Sequence, residues 1–115
     1  MRTMTEAPHG LSPAASASEL ARSASSAAAM LKLLASEQRL LVLCRLLEGE
    51  ACVSELCAHA GLAQAATSQH LAKMRAEGLV ATRRAGQTIY YRLADPAAIR
   101  VLETLCDIYG PDRAG

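Results

Sequence analysis

The hydrophobic positions of this chain recur at helical spacing through much of its length. Leu40, Leu43 and Leu47 follow one another at intervals of three and four residues, which predicts a buried stripe on an amphipathic helix. Ser36 precedes the run as a predicted N-cap, and Gly49 ends it. The segment between them is therefore predicted to be a helix with one face in the core.

The chain ahead of this helix divides into two parts. Residues 1–17 are rich in Ser, Ala, Pro and Thr and show no periodicity, which predicts a disordered tail. The alanine-rich stretch from about Ser18 to Leu34 favours a first helix. We expect a tail at 1–17, one domain at 18–110 and a short tail at 111–115.

Two helical segments separated by a glycine come next. The first runs from about Val53 to Ala60, and the second, "LAQAATSQHLAKMRAEG", covers 62–78, with Gly61 in the turn. This order is the helix-turn-helix pattern. One side of the second helix is predicted to face the core, through Thr67, Leu71, Met74 and Gly78.

The periodicity changes after this helix. The runs 79–84 and 88–93 are rich in β-forming residues, and the link at 85–87 predicts a hairpin. Asp95 is a predicted N-cap and Pro96 the first residue of a last helix that ends near Tyr109. The whole order predicts a mainly α, winged helix-turn-helix fold with a β-hairpin wing, dimerising through its apolar first and last helices.

The charge of the chain is unevenly distributed. The net charge of all 115 residues is only +1. Between Leu62 and Arg92, however, five basic residues stand against one acidic residue, a local charge of +4 that the remaining −3 offsets. A basic half on a nearly neutral chain indicates an anionic partner, of which nucleic acid is the usual example.

Several classes of protein are disfavoured by the sequence. No apolar run approaches the roughly 18 residues of a membrane span, and the N-terminal region lacks a signal-peptide core, so we expect a cytoplasmic protein without membrane contact. Its four cysteines are then expected to be reduced thiols. Neither a Cys-His pair with a supporting carboxylate nor a glycine-rich phosphate loop is evident, so we expect neither an enzyme nor a cofactor.

The candidate DNA contacts lie on the second helix of the helix-turn-helix and on the hairpin. Glutamine amides can pair with adenine edges, serine with bases or phosphate, and basic side chains with phosphate. His70 lies on a flank of the helix, and Ala63 stands at its N-cap without a capping side chain. The predicted contacts are Gln64, Ser68, Gln69, His70 and Lys73 on the helix, and Arg84 and Gln87 on the wing.

Three motifs resemble one family of bacterial regulators. The segments "LKLLASEQRLLVLCRLL", "VSELCAHAGLAQAATSQHLAKMRAEGLV" and "RRAGQTIYYRLADP" are similar to the arsenic-repressor (ArsR/SmtB) family, and most to its sulfide- and redox-sensing branch (BigR, SqrR and HlyU types). The resemblance implies a homodimeric repressor that binds an inverted repeat in double-stranded operator DNA. It also implies that a reactive-sulfur or oxidant signal lowers the affinity for DNA.

The resemblance further implies a sensing pair of cysteines. In this branch a cysteine at the position of Cys44 pairs with one at the end of the last helix, where this chain has Gly110. Cys106 lies one helical turn earlier, so the expected redox pair is Cys44 and Cys106. From the residues alone, the apolar run around Cys44 is equally compatible with a small buried core residue.

Two alternatives remain open at this point. Metalloid-sensing members of the family carry Cys-Val-Cys-x-x-Cys, whereas this chain has Cys52, Ser54 and Cys57, which leaves two thiols for arsenite or a metal. His59 is predicted to lie at the surface, and the absence of histidine from the last helix argues against a zinc site there. The second alternative is a winged helix that binds protein only.

Overall fold

The first part of the described chain is helical. The computed structural model describes residues 13–110, which form two compact units divided between Leu33 and Leu34. The first unit is built from α1 (Pro13–Arg22) and α2 (Ala24–Leu34), whose last residue belongs to the second unit.

Two boundaries in this region differ from the prediction. Helix α1 begins at Pro13, inside the predicted disordered tail, because proline is well suited to a first helical position. The single helix predicted from Ser18 is interrupted at Ser23, whose N–H donates to the Leu20 carbonyl at 2.9 Å. Residues 1–12 and 111–115, which were predicted to be tails, lie outside the described residues.

The second unit contains the remaining elements in the predicted order. The predicted caps are present: Ser36 accepts from the Arg39 N–H at 3.3 Å, and Asp95 accepts from the Ala97 N–H at 2.9 Å. Within 13–110, no helix is long and apolar enough to cross a membrane. The elements are α3 (Glu37–Leu47), β1 (Ala51–Cys52), α4 (Val53–Ala60), α5 (Gln64–Ala76), β2 (Val80–Ala85), β3 (Thr88–Leu93) and α6 (Pro96–Tyr109).

The wing is part of a three-stranded antiparallel sheet in the order β1-β3-β2. The predicted hairpin is confirmed, with Val80 opposite Leu93 at its base and Ala85 opposite Thr88 at its tip. Strand β1 was not predicted, because two residues are too few to show an alternating pattern. It ties the start of α4 to the wing, since Cys52 lies opposite Tyr90.

The core of the second unit lies where the helices meet the base of the sheet. The prediction for α5 is confirmed at three positions and wrong at Gly78, which is exposed. Helix α5 ends at Ala76, and Gly78 takes a left-handed conformation (φ +80°) in which the Leu79 N–H reaches the Met74 carbonyl at 2.9 Å. The buried side chains of this core include Val42, Leu43, Leu46, Leu56, Thr67, Leu71, Met74, Leu79, Val80 and Leu102.

The start of α4 is fixed by a carboxylate. The Cys52 backbone N–H donates to Glu55 Oε1 at 2.9 Å. Cys52 is the N-cap residue and Glu55 the third residue of the helix, so this carboxylate supplies a hydrogen-bond acceptor for the N–H at the N-cap. This hydrogen bond is the main reason that the pKa of Glu55 lies below its ordinary value, and the Cys52 side chain lowers it further. The ionised form of Glu55 is therefore favoured by folding.

Glu55→Gln is expected to reduce the dependence of the free energy of unfolding on pH. Because the pKa of Glu55 is lower in the folded chain than in the unfolded chain, its contribution is complete above the unfolded value and disappears as the pH falls through the folded value. The stability difference between wild type and variant should therefore shrink from pH 6 toward pH 3, as measured by urea unfolding. Glu103→Gln, at an exposed position in mid-helix, is the matched control. A difference that stays constant with pH would contradict the role of Glu55.

Candidate nucleic-acid interface and thiol groove

The helix-turn-helix is shaped by a glycine and by the buried face of α5. Gly61 has φ +68°, and its N–H donates to the Cys57 carbonyl at 2.9 Å, so the chain turns sharply between α4 and α5. Ala63 occupies the N-cap position of α5 and contributes no side-chain hydrogen bond, as predicted. Thr67 instead closes the first turn: its N–H and its hydroxyl donate to the Ala63 carbonyl at 3.0 and 3.1 Å.

The face of α5 opposite its buried stripe carries polar side chains with alanines between them. Four of the predicted contacts, Gln64, Ser68, Gln69 and Lys73, are exposed on this helix. The side chains between them are small, so the helix can approach the floor of a groove closely. This face therefore combines amide and hydroxyl groups for base edges with one ammonium for phosphate; its exposed alanines are Ala65, Ala72 and Ala76.

His70 differs from the other predicted contacts on α5. Its ring is half-buried, and both ring nitrogens are engaged by the first turn of α3. Arg39 Nε donates to His70 Nδ1 at 3.3 Å, and His70 Nε2 lies 2.9 Å from Gln38 Oε1. The structure thus places His70 between two helices, away from the fully exposed polar face, and its contact with DNA stays a prediction.

The wing presents one arginine to solvent and anchors the other. Arg84 and Gln87 are exposed near the hairpin tip, where Gly86 adopts φ +65°. Arg83, by contrast, donates through Nε to both carboxylate oxygens of Glu50, at 2.8 and 2.9 Å. Its guanidinium also lies 4.8 Å from the centre of the Tyr90 ring. Sequence reasoning missed Glu50, because no local pattern connects residues 33 positions apart.

An apolar groove between α3 and α6 contains both expected redox thiols. Helix α3 buries Val42, Leu43 and Leu46, which leaves Cys44 on its exposed side. The interpretation of Cys44 as a buried core residue is therefore wrong. Cys106 is exposed on α6 and lines the same groove. The groove has a volume of about 370 Å³, and its lining consists of Leu40, Cys44, Leu102, Leu105, Cys106, Tyr109 and Gly110.

The surroundings of Cys44 disfavour its thiolate. Desolvation in the groove raises the pKa of Cys44, and the neighbouring Cys106 raises it further by like-charge repulsion. The groove therefore favours the neutral thiol of Cys44.

Gly110 lies at the end of α6, where an added side chain would meet the backbone of Cys106. A Cβ atom built on Gly110 would collide with the backbone oxygen of Cys106. A cysteine at 110 would thus require a different backbone at the end of α6. In the present conformation Cys106 is the α6 thiol that lines the groove.

Cys52 and Cys57 are placed apart from this groove. Both are half-buried at the beginning and middle of the α4 segment, and Cys52 Sγ lies 3.2 Å from Ser54 Oγ. Across residues 13–110, no group of three or more His, Cys, Asp or Glu side chains is arranged to hold a metal ion. A metalloid bound by these two thiols would consequently need a further ligand from elsewhere.

Comparisons with known proteins identify the family. The model of the bacterial regulatory protein arsR family matches residues 36–82. Nodulation protein NolR of Rhizobium meliloti is 48% identical over 86 residues, which cover 75% of this chain and 70% of the relative. Reduced HlyU from Vibrio cholerae has a TM-score of 0.75 and 41% identity, covering 79% of this chain and 96% of that structure.

A further solved structure lies in the redox-sensing branch named by the resemblance. The transcriptional repressor BigR from Xylella fastidiosa has a TM-score of 0.77 and 35% identity, covering 82% of this chain and 96% of that structure. The predicted winged helix-turn-helix fold and the resemblance are both confirmed. The family consists of DNA-binding transcriptional regulators and not of enzymes. The chain belongs to the ArsR family of transcriptional regulators.

Proposed function

We propose that this regulator represses transcription by binding operator DNA, and that a covalent link between Cys44 and Cys106 lowers its affinity. The observation that carries the proposal is the placement of both thiols in one apolar groove between α3 and α6. Helix α3 also contacts α5, the recognition helix in this proposal, through His70. A change in α3 can therefore reach the DNA-binding surface. Helix α3 thus lines the proposed sensing site and contacts the helix that carries the proposed DNA contacts.

The proposed DNA contacts lie on two elements. In this proposal Gln64 and Gln69 pair with adenine edges in the major groove, and Ser68 contacts a base or a phosphate. Lys73 contacts a phosphate, while Arg84 and Gln87 of the wing reach the backbone or the minor groove. Support for this assignment comes from the exposure of all six side chains and from the local charge of +4.

The proposed active form is a homodimer. Large apolar side chains are exposed in both units, at Leu20 (60%) and Leu31 (58%) in the first and at Ile108 (50%) and Tyr109 (73%) in the second. A two-fold dimer would match an operator with an inverted repeat. The protein is expected to act in the compartment that contains the chromosome, where thiols stay reduced until a signal arrives.

The proposed chemistry transfers one sulfur atom and then joins two. The Cys106 thiolate attacks the outer sulfur of a persulfide donor RS–SH, forms Cys106–S–SH and releases the thiol RSH. The Cys44 thiolate then attacks Sγ of Cys106, the inner sulfur of this persulfide, expels the outer sulfur as HS⁻ and leaves a Cys44–Cys106 disulfide. If a second donor has converted Cys44 to its persulfide, condensation of the two persulfides gives a trisulfide and H₂S.

Cys44→Ser and Cys106→Ser are each expected to abolish the response to a persulfide donor while preserving DNA binding. The wild type should lose affinity about 5- to 150-fold, the range of a typical coupling free energy. The measurement is fluorescence anisotropy with a duplex selected by the wild-type protein from a random library. Mass spectrometry of the treated protein should identify a peptide pair linked through Cys44 and Cys106.

Cys52→Ser and Cys57→Ser are the matched controls, because they remove thiols outside the groove. Both should respond to the persulfide donor as the wild type does. If only these two variants lose the response, the sensing pair has been misassigned. Release of DNA by arsenite alone would overturn the proposed sulfur chemistry and favour the Cys52–Cys57 alternative. A wild type that selects no duplex at all would overturn the DNA-binding function itself.

A further inference from the structure

The hydrogen bonds around His70 define one protonation state. A guanidinium has donors but no acceptor, so His70 Nδ1 must accept the hydrogen bond from Arg39 Nε at 3.3 Å. The ring proton then resides on Nε2, which donates to Gln38 Oε1 at 2.9 Å. The contact between α5 and the first turn of α3 therefore requires a neutral imidazole in a single tautomer.

These hydrogen bonds act at a different place from the apolar contacts of α5. Leu71 and Met74 bury the inner face of α5, but apolar contacts are non-directional and set the rotation of a helix less finely than directed hydrogen bonds do. His70 directly follows Gln69, a proposed base contact, and its two hydrogen bonds have preferred directions. They can therefore fix the angle at which the polar face is presented.

We propose that His70 is a positioning residue, which sets the rotation of the recognition helix for operator binding by bridging it to Gln38 and Arg39 of α3. The inference rests on DNA binding through α5 but not on the thiol chemistry. It gives His70 a role other than direct contact with DNA. It also makes α3 the element through which the thiol groove and the recognition helix are joined.

The effect of acid on the hydrogen bond between His70 and Arg39 depends on the charged groups around it. Arg39 is the charged group whose hydrogen bond to the imidazole is seen, and a protonated ring could not accept that bond and would carry like charge beside the guanidinium. Two carboxylates of the second unit have partners of their own: Glu55 accepts from the Cys52 N–H, and Glu50 accepts from Arg83. The other charged or titratable side chains of the surrounding elements are Glu37, Cys44 and Arg45 on α3, Cys57 and His59 on α4, Lys73 and Arg75 on α5 with Glu77 directly after it, and Arg84 on β2.

The sign of the pH dependence separates the two possible roles of His70. If the residue positions α5, protonation breaks the bridge and weakens operator binding. If it contacts a phosphate, protonation adds a positive charge to the interface and strengthens binding. The chain has three histidines, so replacing His9 and His59 by Gln leaves His70 as its single histidine.

The first experiment is a pH titration of operator affinity in this His9→Gln/His59→Gln background, with untagged, reduced protein and the selected duplex at constant salt. From pH 8 to 5.5 the affinity should fall about three- to tenfold. Introducing His70→Asn should remove this change, since Asn can still accept from Arg39 but does not titrate. An affinity that rises as the pH falls would overturn the proposal in favour of a direct contact.

The second experiment uses a variant outside α5. Gln38→Ala should weaken operator binding about three- to tenfold at pH 8 and leave the salt dependence unchanged, because Gln38 carries no charge that could neutralise a phosphate. Combining it with His70→Asn should cause no further loss, whereas combining it with Gln69→Ala should be additive. Normal affinity of Gln38→Ala, or additivity with His70→Asn, would overturn the proposal. The persulfide response, measured separately in these variants, tests the thiol site independently.

Discussion

Leu56→Ala is expected to lower the free energy of unfolding by about 2–5 kcal/mol, the largest effect on stability that we predict. Leu56 is fully buried, and it is the buried residue among the eight that form α4. A helix this short has little stability of its own, so its place in the fold depends on tertiary packing. Losing this side chain removes apolar contacts and leaves a cavity beneath the helix-turn-helix.

Urea unfolding followed by far-UV circular dichroism is the suitable measurement, because the chain has no tryptophan to report on folding by fluorescence. All variants should be compared at one protein concentration, since dimerisation would add to stability. His59→Ala, exposed on the same helix, should change the free energy by no more than about 0.5 kcal/mol. A Leu56→Ala variant as stable as that control would mean that α4 is not held by its buried side chain.

Gln69→Ala and Arg84→Ala are expected to weaken DNA binding in two different ways. Removing a bidentate hydrogen bond from Gln69 to a base should cost about 1–3 kcal/mol on the selected duplex and little on random DNA. Removing the positive charge of Arg84 from a phosphate should weaken binding to both. It should also reduce the slope of log affinity against log salt by about 0.9 for each phosphate that Arg84 neutralises. Anisotropy titrations at several salt concentrations separate the two effects.

Arg100→Ala is the control for these variants, because it removes an exposed arginine from α6 and leaves both α5 and the wing intact. It should preserve both the affinity and the salt slope. Unchanged operator affinity in Gln69→Ala and Arg84→Ala together would exclude this surface from DNA binding. An equal loss on selected and random DNA for Gln69→Ala would reassign that residue from reading bases to contacting the backbone.

The parts of the fold that follow from short-range signals could be predicted from sequence. Ser36 and Asp95 cap helices through hydrogen bonds to residues two or three positions away, and Gly61 produces a turn through its own backbone. The exposed polar face of α5 likewise follows from helical periodicity. These features can be predicted because each depends on neighbours within about one helical turn.

The contacts that position the candidate site depend on distant neighbours instead. His70 contacts Gln38 and Arg39, which lie 32 and 31 residues away in the sequence. No local sequence pattern predicts a contact at that separation. Cys44 was open to misinterpretation for a related reason. In a nearly continuous apolar run, several faces of a helix look equally suited to burial, and only the packing of α3 shows that Cys44 remains exposed.

The two edges of the three-stranded sheet limit how this protein can associate. One edge is β1, which is only two residues long, and the other is β2, which carries the adjacent charges of Arg83 and Arg84. Short strands and charged side chains both discourage the addition of a further strand from another molecule. The wing can therefore project into solvent with its backbone partly unpaired and still resist edge-to-edge aggregation.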